Sequence, residues 1–198
     1  LRWVAGQLLS GPGELTVVRG GAALDADSLA GSLAYAFLLH QEQELRPGRV
    51  GPLVAPLLPI SRAELRLRPE VVALLEAAEI PLKVLADTGT LKLSTYPRER
   101  LALVLVDSDG RELPAGLRRR VVEILDHHVP AVLPPAGARR IVAPVGSACT
   151  LVGEQIRERL PALLERRLAL LLLGAILLDT VNLDLDLPRD RLIVISGI

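Results

Sequence analysis

The sequence predicts an α/β fold: a doubly wound, mainly parallel sheet with helices on both faces. Three observations carry this expectation. Short apolar runs rich in Val, Leu and Ile alternate with helical periodicities along the chain, the pattern of consecutive βαβ units. Two of those runs, 101–106 (LALVLV) and 121–125 (VVEIL), are nearly continuous in apolar residues, as a strand covered on both faces requires. Half of the 198 residues are apolar, enough for the core of one full-sized α/β domain.

The elements follow in order. Residues 14–19 (ELTVVR) read as a strand, and Gly20-Gly21 opens a loop ending in Leu24-Asp25-Ala26-Asp27-Ser28. From 28 to 40, Leu29, Leu33, Phe37 and Leu38 fall on one helical face, with Asp27 or Ser28 as cap. A second strand is expected over 50–56, although three prolines between 52 and 59 sit poorly in one. Residues 69–78 read as a helix with Pro69 in its first turn. A short strand is expected over 81–85, and the polar segment 86–100, with Gly89 and Pro97, reads as a connecting loop. After the strands at 101–106 and 121–125, a further one is expected at 141–143. Helices are expected over 150–164 and 166–181, parted near Pro161. There is no internal repeat.

Composition weighs against several function classes. Lys plus Arg and Asp plus Glu both number 23, so the basic excess of a nucleic-acid binder is missing. Aromatic residues are 2% of the chain, too few to stack bases. The longest apolar run, 168–178, has eleven residues where a membrane span needs about 20. It reads as a buried helix. Residues 1–9 are too short an apolar run for a signal peptide. The one cysteine, Cys149, has no partner for an internal disulfide; it reads as a packing residue in a protein of a reducing, cytoplasmic compartment.

The acidic residues carry the functional signal. In open α/β sheets, ligands bind beyond the carboxyl ends of the strands. Asp25 and Asp27, then Asp107, then Asp126-His127-His128 all come directly after strand candidates, which gathers them at one sheet edge. Asp179 closes the eleven-residue apolar run, and a buried carboxylate there must be paired or metal-bound. Each motif alone also fits a turn or a helix cap; the four together form a constellation. So many carboxylates repel one another unless cations are present. Oxygen ligands mixed with imidazole suit Mn²⁺ or Mg²⁺, with Co²⁺ or Zn²⁺ as alternatives. Gly146-Ser147 ahead of a helix offers N–H groups to a phosphate, or serves simply as loop and cap. Arg139 and Arg140 either add positive charge nearby or form a solvated pair.

These motifs are also familiar. Asp25-Ala-Asp27-Ser28, Leu105-Val106-Asp107, Asp126-His127-His128 and Leu178-Asp179-Thr180-Val181-Asn182 resemble, in order, the four motifs of the DHH phosphoesterase superfamily. Val18-Arg19-Gly20, Pro59-Ile60-Ser61-Arg62-Ala63-Glu64-Leu65, Val145-Gly146-Ser147-Ala148-Cys149-Thr150 and the Leu-rich run up to Asp179 resemble its prune-type exopolyphosphatases. The resemblance implies a two-cation site, with Asp107 bridging, Asp25 on one ion, and Asp27, His127 and Asp179 on the other. His128 would face the substrate phosphate and Asp126 would orient the histidine pair. Two cations about 3.5–4 Å apart share a water, lower its pKa and neutralise charge on the phosphoryl oxygens.

Two departures from that pattern stand out. Members of the superfamily often carry His, and prune-like members Asn, four residues before the first Asp; here it is Gly21, which leaves one cation short of a ligand. Pyrophosphatases and prune-like proteins also have a C-terminal domain closing over the site. Residues 1–186 would then be the metal-binding domain, and 187–198 a linker or the first residues of that C-terminal domain. Three functions remain open: hydrolysis of phosphoanhydrides in short-chain polyphosphate or pyrophosphate, hydrolysis of phosphodiesters such as cyclic nucleotides or short oligonucleotides, and a non-catalytic module that binds a metal or a partner.

Overall fold

The computed structural model describes residues 13–46, 48 and 51–184; the expected linker at 187–198 lies outside the described residues. Six strands form one sheet: β1 (Leu15–Gly20), β2 (Leu53–Leu58), β3 (Ala86–Asp87), β4 (Leu101–Val106), β5 (Val121–Asp126) and β6 (Arg139–Val142). Their order is β3-β2-β1-β4-β5-β6, and every neighbouring pair is parallel. The chain builds outwards from β1 on one side and from β4 on the other. The order therefore reverses between these two central strands, the place where an open α/β sheet forms a crevice. β1 and β4 pair from Leu15↔Leu101 to Gly20↔Val106, so Gly21 and Asp107 leave the sheet side by side.

The helices are α1 (Ala26–Glu44), α2 (Arg62–Leu65), α3 (Pro69–Ala77), α4 (Ala115–Arg118), α5 (Ala148–Arg159) and α6 (Arg166–Asp179). The longer ones gather on one sheet face, where Leu29, Leu33, Val152 and Ile176 pack with Val18, Val104, Val106 and Leu125. Most of α1 is buried, because α5 and α6 cover the side that the sheet does not. The other face, built on Val17, Leu57, Leu103, Leu105 and Ile124, has lighter cover. Leu117 of α4 packs there with Leu91, Leu93 and Leu113 from turns.

The strand expected over 81–85 is instead a 3-10 turn, Leu82–Val84, set off by Pro81, with Leu82 and Val84 packed against the helical core. The strand comes later, at Ala86–Asp87, inside the segment expected to be loop. It ends at once because Asp87 turns back, accepting from the backbone N–H groups of Thr90 (2.9 Å) and Arg62 (3.0 Å). Pro56 is tolerated within β2 because β3 pairs only with Leu57 and Leu58, leaving the proline on an open stretch of edge. α5 begins two residues earlier than expected. It stops at Arg159, and Pro161 starts a separate 3-10 turn that the helix does not run into.

A polar network lies along α1, β5 and α5. Tyr35 Oη donates to Glu123 Oε1 (2.9 Å) and accepts from Arg159 Nη1 (2.8 Å). Arg159 also grips Glu42 through Nε (2.7 Å) and Nη2 (2.5 Å). Arg139 joins Glu123 (3.0 Å) to Gln155 (3.1 Å).

Candidate metal centre

The carboxyl ends of β1, β4 and β5 bring the acidic motifs together, joined by the start of α5 and the end of α6. Asp25 caps α1: its Oδ1 accepts from Ser28 N at 2.9 Å, while the side chain faces the open cleft. Asp27, two residues later, is 1% exposed. Its carboxylate plugs the N-terminus of α5, accepting from Ser147 Oγ (2.6 Å) and Cys149 N (2.8 Å) on Oδ1 and from Ala148 N (2.6 Å) on Oδ2. Aligned N–H groups and the helix dipole make that buried charge tolerable.

Asp107 stands at the centre. It leaves β4 with φ +56, in the left-handed region that costs most side chains energy but that Asp adopts with less penalty. Its Oδ2 accepts from Ser28 Oγ at 2.5 Å. Its Oδ1 is buried and accepts no hydrogen bond. That oxygen faces His127 Nε2 and His128 Nδ1, both at 3.4 Å.

The histidines are held in complementary ways. His127 Nδ1 lies 2.9 Å from Val145 O, an acceptor, so Nδ1 carries the proton. The neutral ring then offers the Nε2 lone pair, which faces Asp107 and, at 3.7 Å, Asp27 Oδ2. His128 is held by Asp126, whose Oδ1 lies 2.9 Å from Nδ1 and accepts the His128 backbone N–H at 3.0 Å. Two sets of ligand atoms converge within 4.8 Å of one another: Asp27, His127 and Asp179, and Asp107, His127 and His128. His127 belongs to both.

The electrostatics show what this arrangement lacks. Burial pushes the Asp179 carboxyl up to about 8, and repulsion from Asp27, Asp25 and Asp107 adds to it. Burial raises Asp107 as well, with Asp27 and Asp25 adding and the facing His127 ring and the Ser28 hydrogen bond only partly compensating. Burial disfavours the charged His127 ring, yet the facing Asp107 carboxylate, the hydrogen bond with Val145 and the charge of Asp27 raise it to about 9. Without a cation, the cluster holds protons in its place. An orphaned buried oxygen, an imidazole fixed in the ligating tautomer and a surplus of oxygen donors are what a divalent cation site requires, and the residues present fit one.

Two expected phosphate contacts are not brought to the site in usable form. Ser147 is 0% exposed, and the N–H groups of the helix turn after it, expected with Gly146 to meet a phosphate, bond Asp27 instead. The buried carboxylate has claimed this helix end. Arg139 is committed to Glu123 and Gln155, and its register partner Glu123 lies three residues, roughly 10 Å, short of the strand end at Asp126. Arg140 is exposed on the same strand. Cys149 is buried in the core as expected, and burial pushes its thiol up. Sequence reasoning missed the Ser28 hydroxyl, the Val145 carbonyl and the 108–112 loop. Only Ser28, inside the first motif, left a signal.

Gly21 proves to be a point of close approach. A Cβ there would stand 2.8 Å from Asp107 O and 3.3 Å from Ser28 Oγ, so a ligating side chain would require the two loops to part.

An open parallel sheet with carboxylates and a histidine pair at its switch point is the arrangement of the DHH phosphoesterases. No family model matches the chain, but individual relatives do. It is 37% identical over 179 residues to the human exopolyphosphatase PRUNE1, covering 88% of this chain and 38% of that protein. The bovine PRUNE1 is 38% identical over 182 residues, and a Schizosaccharomyces pombe protein assigned as an exopolyphosphatase is 32% identical over 186. Those matches cover 89% and 87% of this chain, and 38% and 47% of the relatives. Among solved structures, a Methanococcus jannaschii chain assigned as a family II inorganic pyrophosphatase superposes with a TM-score of 0.54 at 21% identity. That match spans 85% of this chain and 48% of the other, and it speaks to the fold. Over most of its length the chain is similar to prune-type exopolyphosphatases, and it spans less than half the length of these curated relatives.

Proposed function

We propose that this chain carries the metal centre of a phosphohydrolase that cleaves phosphoanhydride bonds in short-chain polyphosphate or pyrophosphate. The observation that carries the reading is Asp107 Oδ1, a buried carboxylate oxygen without a hydrogen bond that belongs to one group of ligand atoms and faces His127, the residue common to both groups. Asp107 is the residue that would bridge two cations. Asp27, His127 and Asp179 would hold one, and Asp25 would help hold the other beside Asp107. Mn²⁺ or Mg²⁺ suits the oxygen-rich set, with Co²⁺ or Zn²⁺ as alternatives. When bound, such ions acidify a shared water and polarise phosphoryl oxygens.

The protein's own groups do the rest. Val145 O fixes the His127 tautomer. Asp126 fixes the His128 ring, leaving its other nitrogen for a substrate phosphate oxygen. Ser28 holds Asp107 in place from the first turn of α1. The names of the relatives support phosphoanhydrides over phosphodiesters, and so does the cleft, which is lined by no Phe, Tyr or Trp among the described residues that would stack a base. No helix among the described residues is long and apolar enough to cross a membrane, and the free buried Cys149 suits a reducing, cytoplasmic setting.

The test is phosphate release from tripolyphosphate and pyrophosphate with Mn²⁺ or Mg²⁺, beside cyclic AMP and a dinucleotide. Release from the first two and not from the others is expected. Turnover of the diesters alone would overturn the substrate class, and no Mn²⁺ binding by titration would overturn the metal centre.

A further inference from the structure

The loop after β4 holds a guanidinium with no part in the metal centre. Arg111 lines the cleft of about 390 Å³ that also holds Asp25, Asp107, Asp126 and His128, and it is the one arginine lining it among the described residues. It is close enough to feel the charge of Asp126. We propose that Arg111 is a specificity-determining residue that binds the phosphate groups of the leaving chain, beyond the phosphoryl group under attack.

Asp109 holds that guanidinium in position. Its carboxylate is only 5% exposed, although the Arg111 side chain it binds is 59% exposed. Oδ1 accepts from Arg111 Nε (3.1 Å) and Arg111 N (3.0 Å), and Oδ2 from Arg111 Nη2 (3.0 Å) and Ala131 N (2.8 Å). Burial works against the Asp109 anion, but the side-chain and backbone hydrogen bonds of Arg111 and the N–H of Ala131 outweigh it and hold the carboxyl down at about 2. A rigid, always ionised fork thus fixes one edge of the guanidinium against the β5–β6 loop. Two of the five guanidinium N–H donors are used, and three are left for the cleft. The neighbouring acid does not claim them: Glu112 bonds Ser108 Oγ (3.0 Å) and Arg19 (3.4 Å).

The chemistry of the substrate supplies the complement. The phosphoryl group under attack belongs at Asp107, where the ligand atoms converge. The leaving phosphates of a linear phosphoanhydride then extend along the cleft and carry most of the remaining charge. A planar donor group held by a carboxylate suits two phosphate oxygens at once, which a lysine ammonium does not. Pyrophosphate leaves a single phosphate and reaches the rim least. Arg111 should therefore matter more as the chain lengthens.

This inference rests on the phosphoanhydride reading, and the test separates the two. Steady-state kinetics with Mn²⁺ would compare wild type, Arg111→Gln, Arg111→Lys and Asp109→Asn on pyrophosphate, tripolyphosphate and tetrapolyphosphate. For Arg111→Gln, KM for the longer substrates should rise by about tenfold, the loss of one charge-assisted hydrogen bond. The rise for pyrophosphate should be smaller, and kcat should change much less than KM. Arg111→Lys should recover only part of the loss. Asp109→Asn should raise the same KM values through a mobile guanidinium. Mn²⁺ affinity and Tm serve as checks that Arg111→Gln leaves the fold and the metal centre intact. Unchanged KM values in an active Arg111→Gln enzyme, or a fall in kcat alone, would overturn the role while sparing the function. If wild type hydrolyses none of the three, binding of imidodiphosphate to the Mn²⁺-loaded protein becomes the readout: weaker binding by Arg111→Gln supports the contact, equal binding overturns it, and no binding by wild type overturns both readings.

Discussion

Strand β5 carries two polar clusters, one at each end, and they solve the burial of charge in opposite ways. Around Glu123, each carboxylate meets a guanidinium: Glu123 has Arg139, and Glu42 has Arg159, with Tyr35 joining the two. Three residues on, Asp126 joins Asp25, Asp27, Asp107 and Asp179, and the bases within the cluster are His127 and His128. The first cluster is balanced by side chains. The second stays short of positive charge and leaves Asp107 Oδ1 without a hydrogen bond. A buried carboxylate without a partner is costly, so a fold that keeps several relies on something from solution. The balanced cluster stabilises the fold. The deficient one is the candidate site.

Asp107→Asn breaks the contrast hardest. It removes the oxygen charge that would bridge two cations, and turnover of tripolyphosphate should fall on the order of 10³-fold, the several kcal/mol that such charge stabilisation supplies. The metal-free protein should melt no lower than wild type, because burial and the charges of Asp27 and Asp25 disfavour the anion that is lost. A variant keeping a tenth of the wild-type phosphate release would remove Asp107 from the centre of the mechanism.

Metal addition should have the next largest effect. At a hundredfold excess over Kd, Mn²⁺ should stabilise the protein by about 2.7 kcal/mol, or roughly 5–11 °C for a chain of this size. The pH dependence has a definite sign. His127 is raised from 6.5 to about 9, so its contribution is complete below 6.5 and lost as pH climbs through 9. Asp179 is raised from 3.8 to about 8, so the cost of ionising it in the folded state is absent near pH 4 and complete above 8. Both make the metal-free protein less stable at pH 9 than at pH 6. Mn²⁺ replaces those protons, so its stabilising effect should grow over the same interval. Melting curves with and without Mn²⁺ at the two pH values check this; a gain that shrinks with pH would contradict it.

The same contrast explains what could be read from the chain. Asp25, Asp27, Asp107, Asp126 and His127 each come after an apolar run, and such runs end at one sheet edge whatever the details of packing. Their convergence was therefore legible, and so was the parallel sheet. Gly146-Ser147 left phosphate contact and simple cap both open because a helix N-terminus accepts any anion; Ser147 proves to be the cap, and nothing local says that Asp27, 120 positions away, takes the helix end. The place of Arg139 was not legible because the register that pairs it with Glu123 is a property of the folded sheet. The strand at Ala86–Asp87 has too few residues to show a period, and no residue type near Asp107 marks its left-handed backbone.

Arg159→Met tests the balanced end of β5. It strands Glu42 and removes a donor from Tyr35, which should cost about 2 kcal/mol, or roughly 4–8 °C in Tm. The loss should be the same with and without Mn²⁺, since the network touches no candidate ligand. A loss that Mn²⁺ erased would mean the two clusters are coupled through β5.

The smallest expected effect is the sharpest comparison, because its sign reverses with the metal. Asp179 is driven up to about 8 by burial and by the neighbouring aspartates, so at pH 9 the metal-free protein holds an ion its surroundings disfavour. Asp179→Asn removes that ion and keeps the shape. The side chain is partly open to water, which screens the repulsion, so the discounted gain is about 1 kcal/mol, or roughly 2–4 °C in Tm at pH 9. At pH 6 the gain should shrink, because wild-type Asp179 is then protonated. With Mn²⁺ the order should invert: wild type gains a ligand interaction that the amide supplies poorly, and the variant melts lower. A variant less stable than wild type under all three conditions would mean that Asp179 is held by structural partners, and the deficit of positive charge at this end of β5 would have to be assigned to the other carboxylates.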